Sequence, residues 1–158
     1  MKVILISGAS DTGKTTICNR IENLLTSKSF NPYSRQQNCG NGQDWLVTFS
    51  GKDKNGNDVR IILNYAADTK NTINTFSNYL GQNTSCDILI TAIRARGWRR
   101  VCMEQIINTQ NTSDIMEIPL AEVTDSEDSA NSPDPISQYH DRCEKLIETI
   151  LSKTYSLF

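Results

Sequence analysis

The sequence has no surplus of positive charge and no long apolar run. Its 158 residues include 16 Lys and Arg against 18 Asp and Glu, so the formal net charge is −2. General binding to nucleic acid is not expected, because neutralising many phosphates requires a basic excess. The N-terminal apolar run at 3–6 is too short for a membrane span or for the core of a signal peptide. We therefore expect that the protein binds neither membranes nor nucleic acid. We also expect it to be cytoplasmic.

Paired cysteines are also lacking. The five cysteines are an odd number and form no Cys-x-x-Cys pair, which fits neither a disulfide framework nor a zinc site. We interpret them as free thiols in a reducing compartment. A chain of this length is expected to form one domain, residues 1–158, with a core that needs no cross-links.

Strand and helix patterns alternate along the chain. Helical spacing of apolar residues predicts helices over 13–28, 68–80, 98–107 and from Pro135 onward. Strand-like runs occur at 3–6, 45–50, 59–65, 87–92 and 114–118. The polar segments 31–44 and 122–134 are expected to be irregular surface connections.

These patterns predict a three-layer α/β domain with helices on both faces of a mostly parallel sheet. The first apolar run, at 3–6, is typical of a strand buried on both faces, so it is expected inside the sheet. The runs at 45–50 and 59–65 flank an Asn-Gly turn and predict a hairpin. That hairpin is expected to supply one antiparallel edge strand.

A glycine-rich motif lies between the first predicted strand and the first predicted helix. Residues 8–15, here called the glycine loop, read Gly-Ala-Ser-Asp-Thr-Gly-Lys-Thr and fit G-x-x-x-x-G-K-[ST]. Backbone N–H groups of such a loop point at phosphate oxygens beside the positive end of a helix. Lys14 would reach the β and γ phosphates, and Thr15 would place its hydroxyl on Mg²⁺. The expected phosphate-binding residues are Gly8, Ala9, Ser10, Asp11, Thr12, Gly13, Lys14, Thr15 and Thr16.

Residues 3–16 resemble the first strand and phosphate loop of the P-loop nucleoside triphosphatase superfamily. The resemblance implies a P-loop type of fold and Mg²⁺-dependent binding of a nucleoside triphosphate. It also implies transfer or hydrolysis of the terminal phosphate, by a small nucleoside triphosphatase or by a kinase acting on a small molecule or nucleotide. The motif is specific for the superfamily and does not identify a branch.

The acidic residue that supports Mg²⁺ in this superfamily has no direct counterpart. The hairpin before a helix resembles the second and third strands of small GTPases, where the third strand ends in Asp-x-x-Gly. This chain has Asn-Tyr-Ala-Ala from Asn64 onward. Asn64 can accept a hydrogen bond from a metal-bound water but supplies no charge. Asp68 is the nearest carboxylate, with metal support and a helix N-cap as its two possible roles.

The guanine-reading Asn-Lys-x-Asp of GTPases is missing as well. Its place after the fourth strand holds Thr-Ala-Ile-Arg, ending at Arg94, so ATP is favoured over GTP. Arg94 and Arg96 are candidates for contact with the transferred phosphate, because guanidinium groups bind phosphate oxygens in pairs. The alternative is a solvated helix face that pairs with the acidic loop. Arg99 and Arg100 fit that alternative better, because they lie on the helix.

Hypotheses from two functional classes remain open. The arginines favour a kinase with a small phosphate acceptor, whereas the hairpin favours a GTPase-like hydrolase. The missing acidic residue instead favours a nucleotide-responsive binding module with little turnover, which would contact a protein partner through 31–44 and 122–134.

For three further residues we expect a structural role rather than a role in binding or catalysis. Asp11 is expected to stabilise the turn of the glycine loop rather than to activate an acceptor. His140 is expected to be structural, and Trp98 to pack in the core rather than to stack on a base.

Overall fold

The computed structural model describes residues 1–38, 44–122 and 135–158. Six strands lie in these ranges: β1 (Lys2–Gly8), β2 (Asn31–Gln37), β3 (Trp45–Lys52), β4 (Asp58–Asn64), β5 (Ile88–Arg94) and β6 (Asp114–Pro119). The helices are α1 (Lys14–Ser27), α2 (Lys70–Gln82), α3 (Trp98–Asn108) and α4 (Pro135–Thr149), and a π-helical turn (Ile150–Thr154) follows α4. In the described part of the chain, no helix combines the length and apolarity needed to cross a membrane.

All six strands form one mixed sheet in the order β2-β3-β4-β5-β1-β6. β1 pairs in parallel with both β5 and β6, and β5 pairs in parallel with β4. β3 runs antiparallel to its neighbours β2 and β4. The interior position of β1 follows from its continuous apolar run, whose four residues are at most 4% exposed. The expected α/β fold with a mostly parallel sheet is confirmed.

Residues 31–37 form a strand, so the prediction of an irregular connection over 31–44 is wrong for this part. Backbone pairing with β3 builds β2, and a register shift occurs between Pro32 and Ser34. Six of its seven residues are exposed, so no apolar alternation marks the strand in the sequence. Residues 39–43 of that segment, and 123–134 of the predicted acidic loop, lie outside the described residues.

The antiparallel strand is interior, which corrects the prediction of an antiparallel edge strand. β3 comes from the hairpin, as expected, and runs opposite to its neighbours. Because β2 adds to its free side, the edge of the sheet is β2 instead. A proline is tolerated at such an edge, where its missing N–H breaks no ladder hydrogen bond.

Two apolar layers enclose the sheet and produce the expected three-layer arrangement. Alternate residues of β1 face opposite sides, as the strand period of two requires. Ile4 and Ile6 pack in the layer with α1 and α4, and Val3 and Leu5 pack in the layer with α2 and α3.

Helix α3 packs one face on this second apolar layer, where Cys102 and Ile106 are partly buried. Met103 and Ile107 are buried, whereas Val101 and Trp98 are 52% and 53% exposed. Residues 101 and 103 lie about 200° apart around a helix, so burial of Met103 turns Val101 outward. Trp98, the first residue of the helix, therefore does not pack in the core as predicted. In α4, Leu146 is also exposed.

Candidate nucleotide-binding site

The glycine loop lies at the carboxyl edge of the parallel strands. Gly8 at the end of β1 is in register with Arg94 at the end of β5, and Asn64 ends the neighbouring β4. Open α/β sheets bind ligands at this edge. A cleft of about 330 Å³ opens there and is here called the loop cleft. Its lining residues are Ser10, Asp11, Gly13, Lys14, Thr15, Thr16, Tyr65, Ala66 and Asp68.

The loop backbone leaves the start of α1 without a side-chain cap. Asp11 and Gly13 adopt left-handed conformations, with φ of 58° and 80°. The Thr12 hydroxyl donates to the Ala9 carbonyl at 3.2 Å across the turn. Gly13 is the N-cap of the 14-residue helix, and the first turn contains no acidic residue. The first N–H groups of α1 are therefore open to an anionic ligand.

The Lys14 ammonium is buried against the start of the same loop. Its Nζ donates to the Gly8 carbonyl at 3.3 Å and also to the Ala9 carbonyl. Among the residues that the structure describes, no carboxylate forms an ion pair with it. Burial lowers the pKa of Lys14 below its ordinary 10.5, while the charge of Asp68 acts in the opposite direction. Within the described ranges, the site thus holds a desolvated cation that has no ion-pair partner.

A pH series with Lys14→Met should detect this desolvation. Above the lowered pKa the folded protein loses the Lys14 proton, whereas the unfolded chain keeps it up to about pH 10.5. Unfolding is therefore disfavoured progressively in that window, and the wild type should gain stability relative to Lys14→Met as pH rises through the lowered pKa towards 10.5. Urea unfolding of both proteins measures the difference. A difference independent of pH would contradict the buried, charged Lys14.

Asp68 and Arg94 form an ion pair beside the loop. Arg94 Nε lies 2.5 Å from Asp68 Oδ1, and Arg94 Nη1 donates to Ser10 Oγ at 2.7 Å. Asp68 does not cap α2, because Thr69 is the N-cap and its hydroxyl accepts from the Thr72 N–H at 3.1 Å. Of the two roles considered for Asp68, the N-cap is thereby excluded.

The predicted catalytic residues do not all meet. Lys14, Asp68 and Arg94 surround the same part of the glycine loop. Arg96 is exposed and lines a neighbouring cleft, which Arg94 also lines, but it has no ion pair among the described residues. Arg100 forms ion pairs with Glu104 and Glu117 at 2.8 and 2.7 Å, as expected for a helix-surface arginine.

The donor set of the loop cleft fits Mg²⁺. Thr15 and Asp68 both line it and offer a hydroxyl and a carboxylate oxygen. Mg²⁺ prefers oxygen ligands and is commonly held by one or two carboxylates together with substrate phosphates and water. The described residues contain no cluster of three or more His, Cys, Asp or Glu side chains able to hold a metal by themselves.

Asn64 does not serve the cleft as a hydrogen-bond acceptor. The residue is fully buried, and its Oδ1 accepts from Asn38 Nδ2 at 3.0 Å. Its Nδ2 donates to Thr91 Oγ1 at 2.9 Å. The amide thus joins the ends of neighbouring elements behind the site, which corrects the hypothesis that it accepts from a metal-bound water.

Sequence patterns did not indicate one residue of the cleft, Tyr65, and one residue whose charge interacts with the cleft, Asp44. Tyr65 lines the cleft, and its hydroxyl donates to Glu22, which also pairs with Arg35 at 2.8 Å. The place of Tyr65 directly after β4 is the signal that would have found it. Asp44 is the second: burial raises its pKa, and the charge of Asp68 adds to that rise. Nothing in the sequence around Asp44 indicates this proximity.

His140 packs against the glycine loop from α4. The ring is buried, as its expected structural role requires. A Cβ atom added to Gly13 would lie 2.1 Å from His140 Nε2. Two features therefore favour glycine at position 13, namely the positive φ and the close approach of the His140 ring.

Gly13→Ala should destabilise the protein by about 2 to 5 kcal/mol, because it combines left-handed strain with overpacking against His140. Gly56→Ala is the matched control: its φ is 84°, but an added Cβ meets nothing within 4 Å. Gly56→Ala should lower the free energy of unfolding by only about 1 to 2 kcal/mol, because it introduces backbone strain without a steric clash. Chemical denaturation measures both variants, and equal losses would refute the steric role of His140.

Comparisons with known proteins give no independent guide to the site. No family model matches the chain, and neither a curated protein nor a solved structure matches it significantly.

Proposed function

We propose that the protein binds a nucleoside triphosphate with Mg²⁺ in the loop cleft and transfers or hydrolyses its terminal phosphate. The observation that carries this proposal is the buried Lys14 ammonium, which donates to loop carbonyls beside the uncapped start of α1. A phosphate chain would supply the missing negative charge and accept from the free N–H groups. ATP is favoured over GTP, because the guanine-reading segment is absent after β5.

The contacts of Lys14 support one orientation of the phosphates. The lysine of such a loop reaches the β and γ phosphates, and Lys14 Nζ lies at the Gly8 and Ala9 carbonyls. The terminal phosphate would then lie near the first residues of the loop, and the inner phosphates near the start of α1. Arg94, which donates to Ser10 Oγ, is at the terminal end.

Charge stabilisation is the main catalytic resource of this arrangement. Mg²⁺ held by the Thr15 hydroxyl and the Asp68 carboxylate would neutralise charge on the terminal phosphates. Lys14 would hold those phosphates, and Arg94 would contact the group being transferred. The left-handed backbone of Asp11 supports its role in the turn.

Calorimetric titration of ATP, GTP, CTP and UTP, each with and without Mg²⁺, tests the proposal. At least one triphosphate should bind, and it should bind more tightly with Mg²⁺, because the metal offsets repulsion between Asp68 and the phosphates. ATP is expected to bind more tightly than GTP. Failure of all four to bind in the presence of Mg²⁺ would reject the proposal.

A nucleotide-responsive binding module with little turnover is the second candidate. The observation in its favour is Asn64, whose buried amide leaves the end of β4 without a carboxylate at the cleft. Steady hydrolysis well above background in the purified protein would count against this candidate. Saturable binding without turnover, in the presence of candidate acceptors, would favour it.

A further inference from the structure

A second cleft of about 250 Å³ adjoins the glycine loop. It is lined by the first three loop residues, at 8–10, and by Arg94, Arg96 and Arg99, and is here called the arginine cleft. Ser10 lines both this cleft and the loop cleft, while no acidic side chain is among the lining residues. The two clefts therefore meet at the end of the loop where the terminal phosphate would lie.

Two arginines of this cleft have no carboxylate partner among the described residues. Arg96 is exposed and forms no ion pair there. Arg99 Nε is buried and has no hydrogen-bond partner in the described part of the chain, and its guanidinium lies 5.5 Å from the centre of the Trp98 ring. Arg100, by contrast, is paired with two glutamates. Positive charge in the arginine cleft is thus available to a ligand.

The start of α3 adds to this positive potential. Gly97 is its N-cap and offers no side-chain hydrogen bond, and the first turn contains no acidic residue. Arg96 and Arg99 flank this end of the 11-residue helix. Free N–H groups and the helix dipole favour an anion at such a terminus.

We propose that the arginine cleft binds the phosphomonoester group of a second, small substrate that accepts the transferred phosphate. A dianionic phosphate suits two unpaired guanidinium groups and a helix N-terminus. The inference rests on the proposed function, because the acceptor would approach a triphosphate bound in the loop cleft. In the transfer, an acceptor hydroxyl oxygen bonds to the terminal phosphorus while the bond to the bridging oxygen breaks. The nucleoside diphosphate leaves with that electron pair, and the hydroxyl proton passes to water.

Calorimetry on the full chain, with Mg²⁺ and a non-hydrolysable ATP analogue occupying the loop cleft, tests this proposal. The probes are adenosine monophosphate, ribose 5-phosphate and inorganic phosphate, which separate recognition of a nucleoside, a sugar and the phosphate itself. At least one of the two phosphomonoesters should bind saturably. Arg99→Ala and Arg96→Ala should each weaken that binding roughly tenfold or more, because charge-assisted hydrogen bonds are lost.

Arg60→Ala is the matched control. It removes an exposed arginine near the opposite end of β4 and should leave probe binding unchanged. All three variants should bind the ATP analogue like the wild type, and thermal unfolding verifies that each is folded. If Arg99→Ala does not fold, Arg96→Ala carries the test, because its side chain is exposed.

The outcomes separate this inference from the proposed function. Binding of the ATP analogue with no saturable binding of either phosphomonoester would overturn the arginine cleft alone. Wild-type probe affinity in folded Arg96→Ala and Arg99→Ala would overturn it as well. Probe binding that depends on both arginines, without binding of any triphosphate, would support the anion site and reject the proposed function.

Discussion

Lys14→Ala is expected to abolish the Mg²⁺-dependent binding of whichever triphosphate the protein prefers. The ammonium is buried at the end of the loop cleft, and the hydrogen-bond acceptors that it contacts among the described residues are backbone carbonyls. A bound phosphate would therefore give it the anionic partner that these residues do not supply. Charge-assisted hydrogen bonds are each worth about 1.5 to 3 kcal/mol, and loss of contacts to two phosphates corresponds to a fall in affinity on the order of a hundredfold or more. Calorimetric titration of the variant measures that fall.

Lys54→Ala is the control for the charge change. Lys54 is exposed in the turn between β3 and β4, away from the carboxyl edge, so its loss should leave affinity unchanged. Lys14→Ala must also remain folded, which denaturant unfolding verifies. Wild-type affinity in folded Lys14→Ala would reject the loop cleft as the triphosphate site.

The parts of the fold that were predictable are those whose stability depends on local apolar pattern. β1 is buried on both faces and therefore shows a continuous apolar run, and the β3–β4 hairpin has a turn signal between two apolar strands. β2 shows neither, because backbone pairing with β3 rather than burial of side chains holds it in the sheet. β2 forms because the outer edge of β3 offers unpaired backbone groups, and the sequence pattern of 31–37 does not show that such an edge is nearby.

In the site, too, local features could be predicted from the sequence and contacts between distant residues could not. The glycine loop is contiguous, so residue types and spacing predict which groups can face phosphate. The contacts between Asp68 and Arg94, and between His140 and Gly13, join residues far apart in the chain. Sheet order predicts that residues at the carboxyl edge meet, but it does not predict which cation pairs with which carboxylate. For Asp68 the choice depended on Thr69, whose hydroxyl caps α2 and frees the carboxylate.

Arg94→Ala should lower the rate of the chemical step on the order of a thousandfold, the effect of arginines that stabilise transferring phosphate. Triphosphate affinity should change far less, since these contacts strengthen only as charge redistributes in the transition state. Single-turnover phosphate release, measured beside the dissociation constant, tests both expectations.

Arg96→Ala is the matched control for phosphate release to water. Its side chain is exposed and, among the described residues, has neither the hydrogen bond to Ser10 nor the ion pair with Asp68 that Arg94 forms, so this reaction should proceed at the wild-type rate. The structure thus separates two arginines that the sequence treats as equivalent candidates. Wild-type rates in both variants would assign Arg94 to a structural ion pair and leave the kinase hypothesis without its main support.

A slow Arg94→Ala still leaves two explanations, because the substitution also releases Asp68 from its ion pair. If Arg94 contacts the transferred phosphate, saturating Mg²⁺ should not restore the rate. If Arg94 only positions Asp68 for the metal, the variant should need more Mg²⁺ and recover at high concentration. Asp68→Asn provides the comparison, because it removes the carboxylate charge while leaving Arg94 beside Ser10. A Mg²⁺ titration of Arg94→Ala that resembles that of Asp68→Asn would therefore rule out direct catalysis by Arg94.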